Sequence, residues 1–279
     1  MIPFDFEYYK PDSITEAIQT FQDIESQGKK VIYYSGGTEF ITFSRINKLS
    51  ADAVIDLKGI PECQVLESLG DLLVIGSAVS LNKIAKSNLF PLLGQAVKQV
   101  ADHTSRNKIT IGGNLHSRLI YREGVLPLLL ADAQVKIAGK EGEQVLAFED
   151  VFQQEMKLGP GQFLIQILVE KSYASYQYIS IKKTKTSKVG YPVVSLAAIA
   201  KDSQIRAAFS GVCAYPFRSA QMEAALNDSS LSIEKRIEQA LSRLPAPIVN
   251  DIQASREYRE FVLINALEDA LDALKGAIS

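Results

Sequence analysis

Val31-Ile32-Tyr33-Tyr34-Ser35-Gly36-Gly37-Thr38-Glu39 runs from a β-forming segment straight into paired glycines. A run of β-branched and aromatic residues reads as a short strand, and the glycines end it in a turn. Upstream, Pro11-Asp12-Ser13-Ile14-Thr15-Glu16 reads as a helix start. Ser13 and Glu16 have capping-box spacing, and Ile14, Ala17, Ile18 and Phe21 recur on one face. Gly28 ends that helix. Downstream, Ala53-Val54-Ile55-Asp56-Leu57 is a second strand. Strand, helix and glycine turn therefore predict a small α/β unit.

Working outward, Leu72-Leu73-Val74-Ile75-Gly76 predicts a strand, and Ser80-Leu81-Asn82-Lys83-Ile84 opens a helix. Leu92, Leu93, Ala96, Val97 and Val100 mark another helical face. Thr110-Ile111-Gly112-Gly113-Asn114 repeats the earlier pattern, with paired glycines after an apolar β run and a polar residue beyond. A buried helix over 125–131 and strands over 134–138 and 163–169 complete this segment. From about Lys171 the character changes: 176–182, 193–200 and 205–213 read as successive strands of an antiparallel meander. Helices follow over 219–226, 232–244 and 257–274. The expected fold is α+β in two domains. Residues 1–170 divide into α/β subdomains of about 1–57 and 58–170, and 171–279 carry a three-stranded antiparallel sheet with a helical bundle.

Paired glycines admit positive φ and let a ligand approach with no Cβ in the way. Successive N–H groups in such a turn form a concave nest suited to phosphate oxygens. A diphosphate has two charged groups, so two nests from separate parts of the chain match it. Hydrogen bonds to charged groups contribute about 1.5–3 kcal/mol each. A plain turn is the alternative for either segment alone. Neither matches G-x-G-x-x-G or the P-loop pattern.

Composition narrows the classes. The 279 residues are 47% hydrophobic and 22% charged, with formal charge −2, which argues against a nucleic-acid surface. No stretch approaches the ~20 apolar residues of a membrane span, and the start lacks a signal-peptide pattern. Cys63 and Cys213 stand far apart in no metal-ligand spacing, and His103 and His116 do no better. The expectation is a reduced cytoplasmic protein with no membrane segment and no metal of its own.

Ser35-Gly36-Gly37-Thr38-Glu39-Phe40 resembles the A-G-G-T-[DE]-[LF] segment of flavin subunits in the xanthine dehydrogenase family of molybdenum hydroxylases. Val54-Ile55-Asp56-Leu57-Lys58-Gly59-Ile60-Pro61-Glu62 is similar to that family's V-D-L-x-x-I-P-E stretch. Thr110-Ile111-Gly112-Gly113-Asn114-Leu115 resembles its second phosphate loop. Ser210-Gly211-Val212 through Pro216-Phe217-Arg218 and Asp251-Ile252-Gln253-Ala254-Ser255-Arg256-Glu257-Tyr258-Arg259 resemble its C-terminal signatures. The matches fall in family order across nearly the whole chain.

The resemblance implies a flavoprotein subunit holding FAD in its N-terminal domain. Ser35, Gly36, Gly37, Thr38, Glu39 and Phe40 would form the first pyrophosphate loop, and Thr110, Gly112, Gly113 and Asn114 the second. The family's Ser-Pro and Asp after the second loop are replaced here by His116-Ser117-Arg118-Leu119-Ile120-Tyr121-Arg122-Glu123. Glu123 falls at the acidic position. It either accepts a ribose hydroxyl, as an ionised carboxylate can, or pairs with Arg118 or Arg122 on the surface. Leu164 stands at an aliphatic contact to the flavin ring, with a strand-core leucine as the other reading. Lys182 and Lys183 match the family's basic position, where they neutralise reduced flavin or phosphate, or else are a solvated pair. No residue is assigned a catalytic role, because the cofactor carries the chemistry.

By resemblance, electrons leave a molybdopterin site in a large subunit, cross 2Fe–2S clusters in a small subunit, and pass through this FAD to NAD or another acceptor. The similarity of Tyr121-Arg122-Glu123 to bacterial purine-catabolic members favours xanthine as the oxidised substrate, with nicotinate, aldehydes and other heterocycles as alternatives. Two rival expectations are a stand-alone FAD-dependent reductase of the same broad fold and a flavin-free assembly subunit.

Overall fold

The computed structural model describes residues 2–186 and 189–278, the last of these by its backbone. The elements run β1 (Glu7–Tyr9), α1 (Ile14–Ser26), β2 (Val31–Tyr34), α2 (Thr38–Arg45), β3 (Ala53–Asp56), β4 (Leu66–Leu69) and β5 (Leu72–Gly76). Next come α3 (Leu81–Ser87), α4 (Pro91–Lys98), α5 (His103–Arg106), α6 (Ile111–Leu115) and α7 (Val125–Leu130). Then follow β6 (Gln134–Gly139), β7 (Gly142–Ala147), α8 (Phe148–Val151), β8 (Phe152–Gln153), β9 (Glu155–Met156) and β10 (Phe163–Glu170). The chain ends with β11 (Tyr178–Thr184), β12 (Pro192–Lys201), β13 (Gln204–Ser210), β14 (Phe217–Arg218), α9 (Ala220–Leu226), α10 (Ile233–Leu241) and α11 (Arg256–Ile278).

The chain forms two compact units that interleave in sequence. The first gathers Met1–Leu89, His103–Ser117 and Ala133–Glu170, and the second Phe90–Asp102, Arg118–Asp132 and Lys171–Ser279.

In the first unit, a parallel sheet of order β1-β3-β2 stands beside a five-stranded sheet of order β4-β5-β10-β6-β7. Helix α1 starts where the sequence signals it. Ser13 accepts the Glu16 amide at 3.3 Å, and the Glu16 carboxylate reaches back to the Asp12 amide at 2.9 Å. This arrangement satisfies donors that the first turn cannot pair internally. The helix buries Ile14, Ala17 and Ile24 against Ala53 and Ile55 of β3. Tyr33 packs its ring on Phe21 and Phe163, with centroids 5.2 and 4.6 Å away, and donates its hydroxyl to the Gly161 carbonyl at 3.0 Å. Parallel pairing aligns Tyr34, the last residue of β2, with Asp56, the last of β3. Both strands therefore deliver their following loops to the same edge of the sheet.

In the second unit, β11-β12-β13-β14 form an antiparallel meander. Four strands are present where three were expected, because the two-residue β14 is too short to carry a period-two signal. Every residue of β12 from Pro192 to Ala200 is buried. Side chains alternate between faces along a strand, so both faces of β12 are covered. Helix α11 packs on β11, β12 and β13, while α7 packs on β12 and β13 and α4 on β11. Arg259 of α11 is fully buried and donates to the carbonyls of Val193 and Gly211 at 2.6 and 2.7 Å and to Asp251 at 2.5 Å. The Asp251-to-Arg259 signature is thus a structural staple between the helix and the meander.

Candidate functional site

The first glycine bend lies at the carboxyl edge of the parallel sheet, where loops of parallel strands ordinarily meet ligands. Strand β2 ends at Tyr34, and Gly37 takes up φ +69°, a left-handed conformation that favours glycine. Gly37 is the N-cap of α2 and has no side chain to accept that helix's first amides. The helix therefore presents the positive end of its dipole without a side-chain cap. A Cβ on Gly37 would lie 2.1 Å from the Tyr34 hydroxyl oxygen, so the ring closes directly on the bend. The Ser35 hydroxyl is buried and has no hydrogen-bond partner among the described residues.

The two glycine segments touch. A Cβ on Gly36 would lie 2.0 Å from the Lys108 carbonyl oxygen and 3.3 Å from the Thr110 amide nitrogen. Only glycine permits that approach. Segments separated by about seventy residues of chain are thereby brought to one place, as the two-bend reading requires.

The second bend differs from its expected form. Gly112-Gly113 does not follow a strand: Thr110 makes only an isolated bridge to Ser80, and 111–115 coil into the short helix α6. Its amides are engaged within the protein. Ile111 donates to the Val79 carbonyl at 2.9 Å, Gly112 to the Ser77 carbonyl at 2.8 Å, Gly113 to the Thr110 hydroxyl at 3.2 Å, and Asn114 to the Thr110 carbonyl at 2.9 Å. The physical reason is pinning: a Cβ on Gly112 would lie 2.8 Å from the Ser77 carbonyl oxygen, so the backbone is held against 77–79. Gly113, by contrast, is exposed, and a Cβ there would meet only the Thr110 hydroxyl, at 3.2 Å. The second bend therefore offers an open glycine and a threonine hydroxyl rather than a nest of bare amides.

Other expected site residues fall elsewhere. Phe40 turns inward, packing edge-on against Phe6 and Tyr34 at centroid distances of 5.4 and 6.0 Å, so its ring belongs to the core. Leu164 is 2% exposed and sits at a register shift between β10 and β6, the strand-core reading. Thr38 and Glu39 occupy the first turn of α2. His103 accepts the Asn82 side-chain amide on its backbone carbonyl at 2.7 Å, and the His116 ring lies 3.1 Å from the Gly112 carbonyl.

In the second unit, Glu123 and Lys182 find each other. Their charged groups are 3.4 Å apart with side chains 9% and 6% exposed, and Lys182 also donates to the Gln99 carbonyl at 2.7 Å. This corrects both surface readings: Glu123 is buried rather than at the surface, and Lys182 is not solvated. Burial of either charge alone is costly, so each is the other's counter-ion. Lys183, the exposed neighbour, pairs with Asp269 at 3.1 Å. Gln99, Glu123, Lys182 and Ser195 line a cavity of about 10 Å³, room for one water and not for a flavin.

Sequence reading missed the residues that brace the first bend. Lys58 donates to the Ser35 carbonyl at 2.6 Å and to Asp56 at 2.8 Å, and lies 4.9 Å from the Tyr34 ring centroid. Asp56, 1% exposed, also takes the Lys58 amide at 3.0 Å and the Tyr8 hydroxyl. Burial first, and then the bond to Asp56, pushes the Tyr8 hydroxyl up to about 12, so it remains a donor at neutral pH. The signal was available: parallel pairing of β2 with β3 puts the end of the Val54-to-Glu62 motif beside the bend.

Residues 4–170 match the family model for the FAD binding domain in molybdopterin dehydrogenase. The medium chain of carbon monoxide dehydrogenase from Hydrogenophaga pseudoflava is 32% identical over 119 residues, which cover 41% of this chain and 40% of that one. The chain thus spans under half the length of that relative in the matched region. The nicotine 6-hydroxylase medium subunit of Paenarthrobacter nicotinovorans is 25% identical over 264 residues, covering 90% of this chain and 91% of that one. Among solved structures, a carbon monoxide dehydrogenase from Hydrogenophaga pseudoflava lacking the Mo-pyranopterin moiety of its molybdenum cofactor aligns with TM-score 0.87. That alignment covers 100% of both chains at 22% identity, a likeness of fold.

Proposed function

The chain belongs to the family of FAD-binding domains of molybdopterin dehydrogenases, and from that premise we propose that it is the electron-relay subunit of a molybdenum hydroxylase complex, gripping FAD by its diphosphate at the paired glycine bends. The observation that carries this reading is the contact of Gly36 with the Lys108 carbonyl, beside the uncapped N-terminus of α2. A helix N-terminus favours negative charge, and Gly37 puts no side-chain cap on that end. The buried, unpartnered Ser35 hydroxyl is a further polar group at the same bend.

In this reading Ser35, Gly36, Gly37, Thr38 and Glu39 hold one phosphate, and the Thr110 hydroxyl, the open face at Gly113 and Asn114 meet the other. Bound FAD supplies reversible electron transfer, which no side chain of this protein provides. The protein's part is to grip and orient. Glu123 and Lys182 act as a structural pair, since each already neutralises the other. Among the described residues no group of His, Cys, Asp or Glu is placed to hold a metal ion, and no helix is long and apolar enough to cross a membrane. Partners in the complex are a molybdopterin-binding large subunit and a 2Fe–2S small subunit. NAD or another acceptor takes the electrons, the compartment is the cytoplasm, and the oxidised substrate is a heterocycle such as xanthine bound by the large subunit.

The test is a titration of the purified chain with FAD and riboflavin, followed by flavin fluorescence and by released flavin per chain. One FAD per chain, bound more tightly than riboflavin, is the expected result. A folded chain that retains no FAD, alone or purified with its partners, overturns the reading in favour of a flavin-free assembly subunit.

A further inference from the structure

We propose that Lys58 is a positioning residue that sets the peptide plane entering the first glycine bend, so that the Gly36 N–H is turned outward for an anion. This rests on the flavin reading for the identity of the anion but not for the geometry. A trans peptide is planar, so the Ser35 carbonyl and the Gly36 N–H belong to one rigid plate and point in opposite directions. Whatever holds the carbonyl aims the amide. Lys58 holds it at 2.6 Å. The anchor matters here because glycine readily adopts several backbone conformations, so the neighbouring peptide can turn over unless fixed.

The ammonium is itself fixed on three sides. Asp56 takes one proton at 2.8 Å, the Ser35 carbonyl takes another, and the Tyr34 ring faces the cation at 4.9 Å. Asp56 cannot wander, since it is buried in β3 and bonded to the Tyr8 hydroxyl and the Lys58 amide. Tyr34, in turn, closes on Gly37. One cluster thus braces both peptides of the bend. Asp56 also neutralises the lysine, so Lys58 contributes direction rather than net charge.

That distinction is measurable. The full chain, stripped of flavin, is titrated with FAD, ADP and riboflavin as wild type, Lys58→Met and Lys58→Arg. Lys58→Met is expected to weaken FAD and ADP by about tenfold, the equilibrium factor for ordering one backbone residue, and to leave riboflavin unchanged. Lys58→Arg, which keeps a cationic donor, restores most of the affinity. The salt dependence of FAD binding is the same in wild type and Lys58→Met, whereas a direct phosphate contact would lower it. Amide exchange over 35–38 in the flavin-free chain quickens in Lys58→Met. If Lys58→Met loses its circular dichroism signal, Lys58→Gln is read in its place. FAD affinity within about twofold of wild type, or equal loss for FAD and riboflavin, overturns the positioning role. Failure of the unsubstituted chain to bind FAD overturns the flavin reading alone if exchange still quickens, and both readings if it does not.

Discussion

Replacing Gly36 with alanine tests the contact on which the site is built. The added Cβ would lie 2.0 Å from the Lys108 carbonyl oxygen and 3.0 Å from its carbon. Carbon and carbonyl oxygen ordinarily approach no closer than about 3.3 Å, so the two segments must part by roughly 1.3 Å. Neither side yields easily. The Lys108 and Ile109 amides both donate to Ser105 at 2.9 Å, the Ile109 carbonyl accepts from Leu81 at 2.9 Å, and Ile111 is tied to Val79 at 2.9 Å. On the other side the Ser35 carbonyl is held by Lys58. Overpacking against backbone costs about 1–3 kcal/mol, and the rigidity here places the expected loss near 3 kcal/mol. For a chain of this size that lowers Tm by about 6–12 °C. Gly113→Ala is the matched control: the new methyl meets only a threonine hydroxyl at 3.2 Å. Helix propensity favours alanine over glycine by up to about 1 kcal/mol. Its stability should therefore stay within about 1 kcal/mol of wild type. Thermal and urea unfolding followed by circular dichroism, without flavin, compare the pair. If Gly36→Ala melts with wild type while Gly113→Ala does not, the packing argument is wrong.

Lys182→Met should destabilise the second unit by about 3–5 kcal/mol, because the buried Glu123 carboxylate loses its lysine counter-ion. Adding Glu123→Gln should recover most of the loss, and simple additivity in urea unfolding would refute the coupling. Asp132 supplies the pH dependence. Burial would raise its carboxyl, but hydrogen bonds from Tyr173 and Arg206, with the charges of Arg206 and Arg218, hold it below the ordinary range. A depressed folded value means the carboxylate's stabilisation is present above the unfolded pKa of about 3.9 and is lost as pH falls through the lower folded one. Asp132→Asn should flatten acid unfolding in that window; superimposable acid-unfolding profiles for the two proteins would count against the network.

Much of the architecture was legible because it obeys local rules. Val31–Tyr34 and Leu72–Gly76 are strands as their β-formers indicate, and Ser13 and Ser80 cap helices as their positions indicate. The strands that escaped are short or polar edges. Glu7–Tyr9 is exposed throughout, and Gly142–Ala147 is largely exposed, so neither shows alternation. At the site, Gly36 and Gly37 were readable, since left-handed turns and close approaches select glycine. The coiling of 111–115 was not, because it depends on hydrogen bonds to 77–79 that no local pattern records. Nor was the Glu123–Lys182 pair, which forms only when β11 comes beside the segment that precedes α7. Lys58 fell between: its motif was visible, but its target carbonyl depended on strand register.

The interleaving of the two units bears on how the protein is made. Helices α4 and α7 leave the ribosome well before β11, β12 and β13, the strands on which their apolar residues rest. Until those strands are synthesised, α4 and α7 have only each other in the second unit against which to bury Leu92, Leu93, Val97, Leu126 and Leu128. The nascent chain must carry that greasy surface through much of its translation, the circumstance in which chaperones are recruited and aggregation begins. A gene fragment trimmed at residue 170 would hold that condition permanently.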